Sequence, residues 1–189
     1  MPKLFILIGM TFKGDLQNLT IQSNMNGSST GPRLIVVCGL PGSGKTTLAK
    51  VLESKLRAVR LSPDEWMNAL SLDLYDEDKR GKIEALQWKF AQQLLALGLI
   101  VIIEWGTWGR SERDALRLRA RVLGAGVELH YLSASADVLF ERVQRRDTEH
   151  PPIERDTVSR WFEMFQAPTS EEMALFDEPL VTGLASGSS

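Results

Sequence analysis

Eight consecutive residues, Gly39-Leu40-Pro41-Gly42-Ser43-Gly44-Lys45-Thr46, fit the pattern G-x-x-x-x-G-K-T at every fixed position. The apolar run Leu34-Ile35-Val36-Val37-Cys38 precedes them and Thr47-Leu48-Ala49-Lys50-Val51-Leu52 follows. A short β-branched run, a glycine-rich turn and a helix-forming stretch predict strand, loop and helix, the context that a P-loop requires. Its glycines let successive backbone N–H groups turn inward, and the helix N-terminus adds partial positive charge, so a bound triphosphate is expected. Gly39 through Thr47 then form the cradle for ATP. Lys45 is expected on the β- and γ-phosphates, and the Thr46 hydroxyl on Mg²⁺.

A chain of 189 residues, 43% of them hydrophobic, has room for one sizeable core and no second full domain. A formal net charge of −2 and a pI near 5.8 disfavour a generally basic nucleic-acid binder, while leaving room for a local basic groove. The single cysteine, Cys38, falls on the first expected strand, so a core role is expected and no intrachain disulfide can form. Together with an ATP-type site this points to the cytoplasm. Leu4-Phe5-Ile6-Leu7-Ile8 is too short to span a bilayer, and no small-residue cleavage pattern follows it, so neither a membrane helix nor a signal peptide is expected. Residues 1–32 read as a flexible extension ending in a Gly/Ser/Asn-rich linker, 33–180 as the folded domain and 181–189 as a loose tail.

Further strands are expected at 58–61, at 99–103, a continuous β-branched apolar run, and at 127–132. Ser62-Pro63-Asp64-Glu65-Trp66 has the order of a helix start, with Ser62 as N-cap and Pro63 at the first helical position. Residues 72–79 suit a polar loop. Helices are expected at 82–97, with Ile83, Leu86, Phe90, Leu94 and Leu97 forming the apolar stripe, at 111–123, from 135 onward and at 154–165. Alternating strand and helix predicts an α/β domain, a parallel sheet flanked by helices on both faces, with ligands at the carboxyl ends of the strands. That edge would gather residues 39–46, 62–66, 104–108 and 133–137.

With these residues in view, the chain resembles the small P-loop kinases of the zeta-toxin, polynucleotide-kinase and chloramphenicol-phosphotransferase-like group, often classed with AAA-family ATP-binding proteins. The resemblance runs from about Arg33 to Phe176 and is most specific at GLPGSGKTT (39–47), RLSPDEW (60–66), IVIIEWGTWGRSERDALR (100–117) and ERVQRRD (141–147). It implies a P-loop NTPase fold of the nucleoside-kinase-like kind and transfer of the γ-phosphoryl group to a hydroxyl. It also implies that Asp64, just after the second strand, is the base toward the acceptor. Where the group usually carries Asp followed by Thr-Asn after the third strand, this chain has Glu104-Trp105-Gly106-Thr107. Arg142, Arg145 and Arg146 fall where such kinases carry a lid that closes over the phosphates. Arg142 and Arg146, four apart on one helix face, are the stronger candidates.

Glu104, a carboxylate ending an apolar strand beside the P-loop, suits metal-bound water or substrate; a solvated strand end is the alternative. Trp105 and Trp108 offer rings on which an acceptor could stack, against a packing role. Arg110 and Arg113 would clamp a substrate phosphate or carboxylate, unless they pair with nearby acids such as Glu112 or Asp114. Trp66, Trp88 and Trp161 are assigned to packing. The expected activity is ATP-dependent phosphorylation of a small-molecule hydroxyl, with no obligate protein partner and no membrane. A 5′-hydroxyl polynucleotide acceptor is disfavoured, because Met67 stands where polynucleotide kinases commonly carry Arg. A nucleotide-dependent switch ATPase is the alternative of a different class.

Overall fold

Four strands form one parallel sheet in the order β2-β3-β1-β4 in the computed structural model, which describes residues 31–146 and 153–183. Residues 1–30 of the expected extension, 147–152 and the tail beyond 183 lie outside the described residues. The elements run β1 (Arg33–Cys38), α1 (Lys45–Leu56), β2 (Val59–Leu61), α2 (Pro63–Ala69), α3 (Glu77–Ala96), β3 (Ile100–Gly106), α4 (Arg110–Val122), β4 (Gly126–Tyr131), α5 (Ala136–Arg146), α6 (Arg155–Met164) and α7 (Ser170–Met173). The strands thus fall where the apolar runs predicted them, joined by helices as a parallel sheet requires.

β1 is central. It pairs with β3, Leu34 opposite Val101 and Val36 opposite Ile103, and with β4, Leu34 opposite Val127. Because side chains alternate across a strand, Leu34, Val36, Cys38, Val101, Ile103 and Val127 face one side, covered by Trp88, Ala91, Leu94 and Leu95 of α3 and Leu116 and Ala120 of α4. Ile35, Val37 and Ile102 face the other side, covered by Ala49 and Leu52 of α1. Cys38 lies in the first layer, and burial pushes its thiol up to about 12, which suits an inert core residue. A third cluster, Leu40, Leu139 and Val158 with Trp108, Trp161 and Phe165 against it, joins the P-loop to α5 and α6.

Three local expectations change. α3 begins at Glu77, inside the segment read as loop, because Asp76 caps it by accepting from the Lys79 N–H at 3.0 Å. The buried stripe of α3 is Ile83, Gln87, Trp88, Ala91, Leu94 and Leu95, whereas Leu86, Phe90 and Leu97 are exposed. β3 continues to Gly106, so Glu104 and Trp105 are strand residues on opposite faces of the sheet. Among the described residues no helix is long and apolar enough to cross a membrane.

Candidate active site

The chain leaves β1 through Gly39, at φ 144, where an added Cβ would collide with the Leu132 carbonyl oxygen and the Ser43 hydroxyl. Gly42, at φ 83, leaves only 3.0 Å between such a Cβ and the Leu139 carbonyl oxygen. The loop is therefore pressed against the end of β4 and against α5, a path that L side chains would block. Gly44 is the N-cap of α1, and no side chain caps that end, so the first N–H groups of the helix point into the loop. Lys45 Nζ donates to the Leu40 carbonyl at 3.0 Å, holding the ammonium over the cradle, and Thr46 and Thr47 lie exposed in the first turn. Ser43 Oγ is buried with no hydrogen-bond partner among the described residues. A glycine cradle, an open helix N-terminus and an orphaned buried hydroxyl fit an anionic ligand such as the phosphates of ATP.

Glu104 stands on β3 two residues after Ile102, on the sheet face that α1 covers. Its side chain is 3% exposed, and Oε1 accepts from Arg60 Nη1 at 2.9 Å. Oε2 is buried without a hydrogen-bond partner among the described residues. Burial raises the pKa of Glu104, opposed by the neighbouring Ser62 hydroxyl and the Arg60 guanidinium. An orphaned carboxylate oxygen at this edge fits Mg²⁺ or its water shell, since Mg²⁺ is usually held by one or two protein oxygens besides phosphate and water.

Sequence reasoning missed Arg60. It donates to Glu53 Oε2 at 3.0 Å, to Glu104, and to both oxygens of Glu65 at 2.7 and 2.8 Å. This arginine, 7% exposed, ties α1, α2 and β3 together and fixes the rotamer of Glu104. A charge in the middle of Val59-Arg60-Leu61 was the available signal. Glu65, in the first turn of α2, keeps a half-exposed side chain while both its oxygens accept from this arginine.

Asp64 lies exposed in the first turn of α2, where Arg80 Nη2 donates to Oδ1 at 2.6 Å. Ser62 occupies the N-cap as expected, but its buried hydroxyl makes no cap bond. Glu84 follows Arg80 by one turn of α3. Burial pushes its carboxyl up to about 7; Arg80 opposes this, while Glu112 and Asp64 add to it. Since the folded value lies above the ordinary 4.5, Glu84 contributes stability that is complete below about 4.5 and is lost as pH rises through about 7. Urea midpoints at pH 5 and pH 8 should therefore converge in Glu84→Gln relative to the unsubstituted chain; an unaltered difference between the two pH values would contradict this assignment.

Most of the aromatic and arginine residues at the end of β3 and just after it are engaged by other parts of the protein. Trp105 Nε1 donates to Gln87 Oε1 at 2.8 Å, and its ring packs on the α3 side of the sheet. Trp108, half-buried, packs edge-on against Trp161 and Phe165, at 6.4 and 6.3 Å between centroids, on the edge of the third cluster. Arg110 is exposed and pairs with Asp114 at 3.5 Å. Arg113 is fully buried: Nε and Nη2 donate to Glu172 at 2.6 and 3.0 Å, Nη1 to the Thr107 carbonyl at 3.0 Å, and Nη2 to the Gln166 carbonyl at 2.8 Å. With its donors consumed by the protein, Arg113 is not a substrate clamp. Arg142 does reach the P-loop, Nη1 donating to the Gly42 carbonyl at 3.4 Å. Arg145 pairs with Glu141 on the surface. Arg146 ends α5, and its side chain lies outside the described set.

The AAA_33 model, an AAA domain, matches residues 34–168. A probable gluconokinase of Schizosaccharomyces pombe is 28% identical over 147 residues, 74% of this chain and 75% of that protein. A shikimate kinase of Rhizobium leguminosarum is 28% identical over 134 residues, 66% of each chain. The crystal structure of a gluconokinase from Sinorhizobium meliloti 1021 shares the fold at a TM-score of 0.53 and 24% identity, over 75% of this chain and 79% of that one. A family match over most of the folded residues, on a sheet of this order with this loop, means that the chain belongs to the AAA_33 family of AAA domains and is a small P-loop kinase.

Proposed function

We propose that the protein moves the γ-phosphoryl group of ATP, with Mg²⁺, to a hydroxyl of a small-molecule acceptor. One observation carries this reading: a single sheet edge joins a glycine-built anion cradle to Glu104, a buried carboxylate with an orphaned oxygen, and to Asp64, an exposed carboxylate held by an arginine. The kinase relatives, gluconokinase and shikimate kinase by name, support the small-molecule acceptor.

Phosphoryl transfer depends on positioning and charge neutralisation more than on covalent help from the protein. Gly39, Leu40, Pro41, Gly42, Ser43 and Gly44 present backbone to the phosphates, and the N–H groups at Lys45, Thr46 and Thr47 add the helix terminus. Lys45 exchanges the Leu40 carbonyl for phosphate oxygen and stabilises charge that develops there. Thr46 and Glu104 would hold Mg²⁺, which supplies neutralisation of the phosphate charge when bound. Asp64 accepts the proton of the acceptor hydroxyl, with Arg80 fixing its orientation. Arg142, over the Gly42 carbonyl, and Arg146, one turn further on, bring guanidinium groups to the transferring phosphoryl.

Asp64→Asn is expected to lower kcat by about 10²–10⁴-fold, the range for losing a positioned base, while ATP affinity stays unchanged. Steady-state transfer assays beside equilibrium ATP binding check this. An unaltered kcat would remove Asp64 from the role.

A further inference from the structure

A cavity of about 100 Å³ adjoins the P-loop at the end of β4. Its walls include Leu40 and Ser43 of the loop, Tyr131 of β4, Leu139 of α5, Phe162 of α6 and Phe165 just after that helix. No residue that lines it carries a charge. The Tyr131 and Phe165 rings stack at 5.8 Å between centroids and 19° between planes, which makes one wall flat and aromatic. Phe162, 44% exposed, stands at the mouth. An apolar cavity of this order takes up a ring in preference to water: one of about 150 Å³ binds benzene.

A second observation ties the cavity to the chemistry. Ser43 belongs both to the cavity wall and to the anion cradle, and its buried Oγ has no hydrogen-bond partner among the described residues. A buried hydroxyl left open in this way is completed by a ligand oxygen. Tyr131 and Trp66 of α2 both pack against the layer formed with α3 and α4. The cavity and the turn that carries Asp64 therefore flank the P-loop on one face of the sheet, whereas α1, whose N-terminus opens into the cradle, covers the other face. The arginines placed to clamp a carboxylate, Arg110 and Arg113, are bonded to Asp114 and Glu172. Moving a carboxylate into an apolar cavity without such a partner is costly.

We infer that this cavity seats the uncharged ring of an arylalkyl alcohol, and that the acceptor is selected by that ring rather than by a carboxylate or a run of hydroxyls. The alkyl arm leaves the cavity past Ser43 toward the phosphates. The new O–P bond forms at its hydroxyl as the bond from the γ-phosphorus to ADP breaks, and the hydroxyl proton passes to Asp64. The inference rests on the phosphotransferase reading for this reaction, and on the cavity for the ring.

Titration calorimetry on the full chain bound to Mg²⁺ and the non-hydrolysable analogue AMPPNP tests it, with phenylethanol, glucose, gluconate and shikimate as probes. Phenylethanol should bind at least about tenfold more tightly than each of the other three, as expected of ring burial without a charge to desolvate. Ala167 lines the same cavity and is exposed, so Ala167→Leu narrows the mouth without disturbing the core. It should weaken phenylethanol about tenfold or more, the scale for overfilling a fitted site, and leave AMPPNP affinity unchanged. Phe162→Ala, which removes one ring at the mouth, should weaken phenylethanol about tenfold and leave gluconate unaltered. Gluconate or shikimate binding as tightly as phenylethanol, or phenylethanol binding untouched by both substitutions, would overturn the inference. Weaker AMPPNP binding in Ala167→Leu with inorganic triphosphate binding unchanged would also overturn it, by assigning the cavity to the nucleotide base. Labelled γ-phosphate transfer to glucose or gluconate but not to phenylethanol would overturn it while leaving the proposed function standing, whereas failure to bind AMPPNP would remove both.

Discussion

Arg113→Ala is expected to destabilise the fold by about 3–5 kcal/mol, the usual cost of removing one partner from a buried ion pair. The guanidinium is fully buried and donates to both oxygens of Glu172. It also fixes the carbonyls of Thr107 and Gln166, so it links the loop after β3 to the connection between α6 and α7. Its loss strands the Glu172 carboxylate in the interior, where an unpaired charge is poorly tolerated. In a domain whose total stability is of order 5–15 kcal/mol, that is a large share. The urea midpoint should fall accordingly. The double variant Arg113→Met with Glu172→Leu should recover most of the loss, since neither charge is then left alone. A loss below about 1 kcal/mol in Arg113→Ala would mean the pair does not act as a buried strut.

Lys45→Ala should lower phosphoryl transfer by about 10²–10³-fold, the scale for deleting one positioned charge stabiliser, with folding retained. Its Nζ is held over the loop at 3.0 Å from the Leu40 carbonyl, whereas α1 packs through Ala49 and Leu52, contacts that do not involve Lys45. Stability measured by urea should therefore change little while turnover collapses. Lys45→Arg would keep the charge but not the compact ammonium, and should recover little. Turnover within about tenfold of the unsubstituted enzyme in Lys45→Ala would exclude the lysine from the transfer step.

What was legible in the chain follows the range over which each signal acts. The P-loop was legible because its chemistry is local: the glycines, the lysine and the flanking strand and helix all lie within 20 or so residues, the span of the motif. β1 and β3, the two central strands, were legible from continuous apolar runs, as expected of strands buried on both faces. The start of α3 was missed because acids at 76–78 were read as loop, though Asp76 as cap and Glu77 and Asp78 in the first turn are favourable helix-start chemistry. The stripe on α3 was misread by one position. Leu86 looked like core, but Gln87 is buried in its place, its amide bonded to Trp105 from another element. Arg113 could not be read from its neighbourhood at all, because Glu172 is 59 residues away in the chain. The same holds for Arg60 and Glu104, 44 residues apart.

Labelled γ-phosphate transfer from Mg²⁺-ATP to a panel of small hydroxylated acceptors, run beside Lys45→Ala and Asp64→Asn, tests the central claim most directly. Phosphorylated acceptor formed by the unsubstituted chain and lost in both variants is the predicted result. Nucleotide binding with no transfer to any acceptor, or transfer that survives in both variants, would contradict it.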